Sequence, residues 1–127
     1  MQFRPKKSLG QNFLNDKNIL KNIVNVGKIT KKDKILEIGP GTGNLTEFII
    51  KSQPKNIIVV EKDIELARVL KKKFKDQINI IHDDILNFSE NYYKDNYIIY
   101  GNLPYNISTR ILANCCLNTV AYKHLRA

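Results

Sequence analysis

The chain has 127 residues, enough for one domain with a modest core. Its formal net charge is +9, and residues 1–34 hold nine basic residues against two acidic ones, which favours a polyanionic partner over a solvated lysine-rich surface alone. The sequence has no apolar run of about 18 residues, the length needed to span a membrane. The adjacent Cys115 and Cys116 lack metal-site spacing. Together these observations predict a cytoplasmic protein.

The first part of the chain predicts a basic arm, a helix and a short strand. Residues 1–14 are expected to form an extended arm. Asn15 or Asp16 can cap a helix whose apolar residues share one face, and Gly27 lies where a helix often ends. Residues 34–38 form an apolar strand that leads into a glycine-rich turn and a second helix.

The remaining elements alternate in the same way. Residues 57–60 predict a second strand, and Asp63 caps a helix that carries Ile64 and ends in three lysines. Residues 78–81 and 97–100 predict a third and a fourth strand, and a last helix follows near residue 111. Strands that alternate with helices favour a doubly wound parallel sheet, in which ligands bind beyond the carboxyl ends of the strands.

The turn after the first strand is the first candidate site. Glycine at positions 39, 41 and 43 removes side chains where a cofactor must touch the backbone. The G-x-G-x-G spacing of Gly39, Gly41 and Gly43 favours S-adenosylmethionine over a nicotinamide cofactor. A purely structural turn is the alternative.

Acidic residues follow the next two strands. Glu61 ends the second strand, where a carboxylate can accept both ribose hydroxyls of a nucleoside cofactor. After the third strand, Asp84 or Asp83 can accept from an adenine amine, and the backbone of Ile85 can contact the ring. His82 and His124 lack paired ligands, so no metal is expected.

The segment Asn102, Leu103, Pro104, Tyr105 follows the fourth strand. An aryl amine is a poor nucleophile because its lone pair is delocalised into the ring. The Asn102 side-chain oxygen and the Leu103 or Pro104 carbonyl can accept both N–H groups, which frees the lone pair to attack a methyl group. Tyr105 can stack on the base. The segment therefore predicts methyl transfer to an exocyclic amine.

Five segments together resemble the rRNA adenine dimethyltransferase family. They are residues 7–14 (KSLGQNFL), 36–43 (LEIGPGTG), 60–63 (VEKD), 83–86 (DDIL) and 101–109 (GNLPYNIST). Their order and spacing are specific, and the resemblance covers residues 6 to about 112. It implies a Rossmann-like class I methyltransferase fold that uses S-adenosyl-L-methionine to dimethylate the N6 amine of adenines in small-subunit rRNA, as part of ribosome biogenesis.

The resemblance also implies roles for individual residues. Asn12 and Leu14 close over the cofactor. Gly39, Glu61, Asp84 and Asn102 contact it, and residues 102–105 also hold the target adenine. A monomer is expected. Macrolide-resistance methylases of large-subunit rRNA, which typically carry Ile at the position of Leu103, and a non-catalytic nucleic-acid-binding protein are the alternatives.

The sequence departs from the family in its length. Members continue through three more strands and a helical domain, so residues 15–127 are expected to form a partial domain of about four parallel strands, with an exposed apolar fourth strand. We therefore expect a fragment with little methyltransferase activity by itself.

Overall fold

The computed structural model describes residues 16–85 and 97–101. Within them the predicted alternation of strands and helices is confirmed, and only the third strand is shifted, by one residue. A short 3₁₀ turn follows the third helix. The elements in chain order are α1 (Lys17–Val26), β1 (Lys34–Ile38), α2 (Asn44–Lys51), β2 (Asn56–Glu61), α3 (Ile64–Phe74), the 3₁₀ turn (Lys75–Gln77), β3 (Asn79–His82) and β4 (Tyr97–Gly101).

The described strands form one parallel sheet in the order β3-β2-β1-β4. In the central strand β1, Leu36 lies opposite Ile58 of β2 and Ile99 of β4. The chain winds outward from β1 to β3 and then returns to the other side of β1. The topological switch point therefore lies between β1 and β4, and the carboxyl ends of all four strands meet at one edge.

Aspartate side chains begin two of the helices, as the sequence predicts. Asp16 Oδ1 accepts the backbone N–H of Asn18 at 2.9 Å and that of Ile19 at 3.2 Å, so Asp16 is the cap of α1. Asp63 Oδ1 accepts from Glu65 at 2.8 Å at the start of α3. Each cap satisfies donors that the helix leaves unpaired and contributes about 1 kcal/mol.

The three helices pack on one face of the sheet. Val24 of α1, Ile49 of α2 and Leu70 of α3 join a cluster with every second residue of the strands. The alternate residues, among them Leu36 and Ile99, are buried on the opposite face. Ile64 does not share in this packing: it is 41 % exposed, because it lies in the first turn of α3, away from the face that meets the sheet.

The fourth strand is an edge of the described sheet, as expected, but the expectation that it is exposed is wrong. All five residues of β4 are buried. Ile98 and Tyr100 lie in the same cluster as Val24, and the Tyr100 hydroxyl donates to the Val24 carbonyl oxygen at 2.7 Å. The end of α1 thus covers one face of β4. The sequence of the strand by itself does not indicate this contact.

We predict that Gly27→Ala destabilises the fold through Tyr100. Gly27 has an ordinary helical φ of −74°, but a Cβ at this position would lie 2.0 Å from the Tyr100 hydroxyl oxygen. Displacing that ring costs roughly 1–3 kcal/mol of unfolding free energy. Urea unfolding should show a smaller cost of Gly27→Ala in a Tyr100→Phe background, where the clashing oxygen is absent. An equal cost in both backgrounds would contradict this explanation.

Candidate cofactor and methyl-transfer site

The glycine turn connects the end of β1 to the start of α2. Gly39 N–H donates to the Val60 carbonyl at 2.9 Å and continues the β1–β2 ladder by one residue. Gly43 N–H donates to the Pro40 carbonyl at 3.0 Å and closes the turn. The φ angles of Gly39, Gly41 and Gly43 are +63°, +60° and +88°, a region in which a side chain would be strained.

One side of this turn is open. Apart from the adjoining residues, a Cβ built on Gly39 or on Gly41 would meet no atom of residues 16–85 or 97–101 within 4 Å. These two glycines therefore keep side chains out of a free space that borders exposed backbone at the carboxyl end of β1. The space fits a cofactor that approaches the main chain closely, as predicted for S-adenosylmethionine.

The third glycine has a different function from the one that the sequence predicts. A Cβ on Gly43 would lie 2.6 Å from Phe74 Cε2 and 2.9 Å from Leu70 Cδ2. Its missing side chain thus faces α3 and not the open space. Gly43 allows the turn to pack directly against that helix, whereas Gly39 and Gly41 keep the ligand side clear.

A lysine of α3 also holds the turn from this side. Lys73 Nζ lies 2.8 Å from Glu47 Oε1 and donates to the Thr42 carbonyl at 3.3 Å. The hydrogen bond from Lys73 lowers the pKa of Glu47, an effect larger than those of burial and of the charges nearby. The sequence carries no local signal for this contact, because Thr42 and Lys73 are 31 positions apart.

Glu61 lies where the sequence predicts it, at the end of β2 beside the turn. Its side chain is buried, and Oε2 accepts the Asp63 N–H at 2.9 Å, which fixes the carboxylate. Among residues 16–85 and 97–101, Oε1 has no hydrogen-bond partner. A buried carboxylate oxygen with unused acceptor capacity fits the predicted contact with ribose hydroxyls.

Asp83 and Asp84 follow β3 at the same edge. Asp83 N–H donates to the Glu61 carbonyl at 3.1 Å, and Asp83 Oδ1 accepts the Asp84 N–H at 2.7 Å. Asp84 Oδ2 also lies 3.7 Å from Lys62 Nζ. Both acids reach the site, so the preference for Asp84 stays a prediction. The Ile85 side chain belongs to the core, and its predicted backbone contact with adenine stays a prediction too.

The sequence assigns no role to Glu37, which is the most unusual group near the turn. This carboxyl is 2 % exposed and accepts a hydrogen bond from the buried Thr46 hydroxyl of α2. Burial, together with the charge of Glu61 and despite the Thr46 bond, raises the pKa of Glu37 to about 7. A charged residue inside the apolar strand 34–38 is the sequence signal that points to it.

The other predicted site residues lie outside the described part of the chain. They are Asn12 and Leu14 on the arm and Asn102, Leu103, Pro104 and Tyr105 after β4. Gly101, the last residue of β4, pairs with Ile38, directly before the glycine turn. The predicted base-holding segment therefore follows a strand end that borders the cofactor side.

Two further properties concern only residues 16–85 and 97–101. No three His, Cys, Asp or Glu side chains come together as metal ligands there. None of the helices in these ranges has the length and apolar character needed to cross a membrane.

The fold and the site define the N-terminal part of a Rossmann-like, S-adenosylmethionine-dependent methyltransferase. The fold matches the crystal structure of the 23S rRNA methyltransferase ErmE with a TM-score of 0.72 at 24 % identity, covering 85 % of this chain and 43 % of that one. A dimethyladenosine transferase from Plasmodium falciparum matches with a TM-score of 0.65 at 27 % identity, covering 76 % and 35 %. The predicted fold class and cofactor are confirmed.

The chain belongs to the ribosomal RNA adenine dimethylase family, whose model matches residues 2–125. The match extends past residue 112, where the sequence resemblance was expected to end. The ribosomal RNA small subunit methyltransferase A of Pelagibacter ubique is 55 % identical over 93 % of this chain and 45 % of its own length. The chain thus spans less than half of this relative.

We predict that Glu37 makes stability fall as the pH rises. An unfolded glutamate ionises near 4.5, whereas folded Glu37 keeps its proton up to about 7. Between these values folding takes up a proton, so the free energy of unfolding decreases through this window, by roughly 3 kcal/mol in total. Urea unfolding at pH 5 and pH 8 measures it.

Glu37→Gln should remove this part of the pH dependence, because the amide does not titrate. Glu65→Gln is the matched control, since Glu65 is exposed and forms a surface ion pair with Arg68 at 3.3 Å. A Glu37→Gln protein with the same pH dependence as the parent would contradict the prediction.

Proposed function

We propose that this chain provides the cofactor-binding part of an enzyme that dimethylates the N6 amine of adenines in small-subunit rRNA. The observation that carries the proposal is the open backbone at Gly39 and Gly41 beside the Glu61 carboxylate, whose Oε1 has no hydrogen-bond partner among the described residues, in a chain of the ribosomal RNA adenine dimethylase family. The name of the Pelagibacter ubique relative supports the small subunit as substrate. Such a modification belongs to ribosome biogenesis.

The described residues bind and orient the cofactor in this proposal. S-adenosyl-L-methionine supplies an electrophilic methyl group on a sulfonium centre. Gly39 and Gly41 allow close approach to the backbone, Glu61 accepts from the ribose hydroxyls, and Asp84 accepts from the adenine amine of the cofactor. Lys73 holds the turn in place through its contact with Thr42. The chain therefore works by positioning, which lowers the barrier without a strong base.

The target adenine falls to the segment after β4. The Asn102 side-chain oxygen and a carbonyl of Leu103 or Pro104 accept the two N–H groups of the N6 amine, and Tyr105 stacks on the base. These acceptors stabilise the positive charge that develops on the nitrogen during attack. Gly101 supports this assignment, because its pairing with Ile38 brings the end of β4 to the edge of the glycine turn.

The basic arm completes the proposal. Asn12 and Leu14 cover the cofactor, and Lys6 and Lys7 contact rRNA phosphates. We further propose a cytoplasmic monomer, divided into the arm, residues 1–14, and the partial methyltransferase domain, residues 15–127. The adjacent Cys115 and Cys116 support a reducing compartment.

Two alternative functions make different demands on the sequence. A macrolide-resistance type of enzyme would modify large-subunit rRNA, whereas Leu103 and the relative from Pelagibacter ubique favour the small subunit. A non-catalytic nucleic-acid-binding protein would not need the segment 102–105, which the chain retains. We therefore favour the small-subunit enzyme.

We predict that Glu61→Gln weakens S-adenosylmethionine binding. The amide keeps an oxygen for the Asp63 N–H but replaces a charged acceptor of ribose hydroxyls with a neutral group, which costs roughly 1–2 kcal/mol, or about 5- to 30-fold in affinity. Calorimetric titration of the 127-residue chain measures it, with Glu65→Gln as the equal charge change at an exposed position. Unchanged affinity in Glu61→Gln would remove Glu61 from the cofactor site.

The reaction itself is tested with labelled S-adenosylmethionine and ribosomal particles that lack the modification. We expect label only in small-subunit rRNA, recovered as N6,N6-dimethyladenosine, and a much slower rate for residues 1–127 than for a full-length relative. Label in large-subunit rRNA would favour the macrolide-resistance type. Binding of cofactor and RNA without any transfer, even when a relative's downstream segment is added, would favour the non-catalytic protein.

A further inference from the structure

The three lysines at the end of α3 do not act as one solvated patch. Lys73 turns toward Glu47 and the glycine turn. Lys71 lines a groove of about 470 Å³ between α3 and the outer side of β3. Lys71 and Lys73 thus lie on different surfaces, because residues two apart in a helix point in nearly opposite directions.

The groove has both apolar and cationic lining residues. Ile78 and Ile80 are apolar, and Arg68, Lys71 and Lys75 are basic. Arg68 and Lys71 are at positions i and i+3 of α3, which places them on one face of the helix, and Lys75 directly follows the helix and lines the same groove. They form a row that matches the repeated negative charges of a nucleic-acid backbone.

The row is poorly neutralised within the described part of the chain. Arg68 pairs with Glu65 at 3.3 Å, both at exposed positions, so this pair is weak. Lys71 and Lys75 form no ion pair with residues 16–85 or 97–101. Of the groove-lining residues in the described part of the chain, only Asp76 is acidic.

Lys75 also occupies a backbone conformation that favours glycine. Its φ is +51° and its ψ is −123°, directly after α3. A glycine would adopt this conformation with less strain, and lysine adds a long cationic side chain at this point instead.

The groove leads toward the proposed cofactor side. His82, at the carboxyl end of β3, lines the groove, and its Nε2–H donates to the Lys62 carbonyl at 3.0 Å. Lys62 directly follows Glu61. A strand of nucleic acid that lies along the α3 row would therefore reach the edge of the sheet at which Glu61 and the glycine turn are found.

We propose that the α3–β3 groove binds phosphates of the rRNA substrate, outside the segment that holds the target adenine. This proposal rests on the proposed function for the identity of the polyanion. Arg68, Lys71 and Lys75 provide the phosphate contacts, which add affinity and orientation without reading the base sequence.

The test measures the affinity of the 127-residue chain for a fluorescently labelled RNA hairpin across a range of salt concentrations. Lys71→Gln combined with Lys75→Gln should weaken binding and lower the slope of log affinity against log salt by about 1.5 units, since each phosphate contact contributes ~0.7–0.9. Lys51→Gln combined with Lys55→Gln is the control, an equal charge change at exposed positions outside both the groove and the basic residues 1–34. An unchanged slope in the groove variant, or an equal change in the control, would overturn the proposal.

Two single variants separate charge from damage to the fold. Lys75→Gly should raise the urea midpoint, because it relieves the backbone, and still weaken RNA binding. Asp76→Asn should tighten RNA binding by removing the acid that lines the groove. If Lys75→Gly binds RNA as well as the parent chain does, the lysine is not at the interface and the proposal is wrong.

A competitor identifies the kind of polyanion. Unlabelled RNA should displace the labelled hairpin far better than polyglutamate of similar charge. If only polyglutamate displaces the hairpin, the groove is a protein-docking surface and the proposal is contradicted. Calorimetry with S-adenosylmethionine is run on the same proteins. If the parent chain does not bind the cofactor, the proposed function is refuted and the RNA result stands. If the parent chain binds the cofactor and the groove variant leaves the salt slope unchanged, only the proposal for the groove is refuted.

Discussion

The direct packing of the glycine turn against α3 is the contact on which the site depends. Gly43 has no side chain, so Phe74 and Leu70 can lie where a Cβ would be, at 2.6 and 2.9 Å. This contact joins the end of β1 to a helix that follows β2, and Lys73 reinforces it from the surface through Glu47 and Thr42. Because α3 holds the turn on one side, the position of its open side, at Gly39 and Gly41, is fixed relative to the sheet. A close-packed interior transmits such a constraint because it has little room to relax.

A buried acid accompanies this rigid turn. Glu37 lies in the central strand with the Thr46 hydroxyl as its hydrogen-bond donor, and burial raises its pKa to about 7. Burying an ionisable group costs free energy that an apolar residue would not require. The Glu37–Thr46 hydrogen bond links β1 to the first turn of α2, across the same turn that Gly43 and Lys73 hold from α3.

Charge is distributed differently on the outer surfaces. Glu61, Asp83 and Asp84 lie at the carboxyl edge of the sheet, whereas Arg68 and Lys71 of α3 and Lys75 after it line the neighbouring groove. An acidic edge suits a cationic cofactor, and a basic groove suits a polyanionic RNA. The two surfaces adjoin near His82 and Lys62. In the proposed function a methyl donor and an RNA substrate come together at one place, and these two surfaces would bind them separately.

The sequence by itself determined the elements, their order, the parallel sheet and the residues at its carboxyl edge. These follow from local rules: Asp16 and Asp63 cap helices, apolar runs form buried strands, and glycines mark the turn. Five motifs in order were also enough to indicate the family. Only the tertiary structure decided that Gly43 serves packing, that α1 buries β4 through Tyr100, and that Lys71 and Lys73 act on different surfaces. Each of these depends on residues that are distant in sequence and adjacent in space, and neither composition nor periodicity carries information on which distant residues meet.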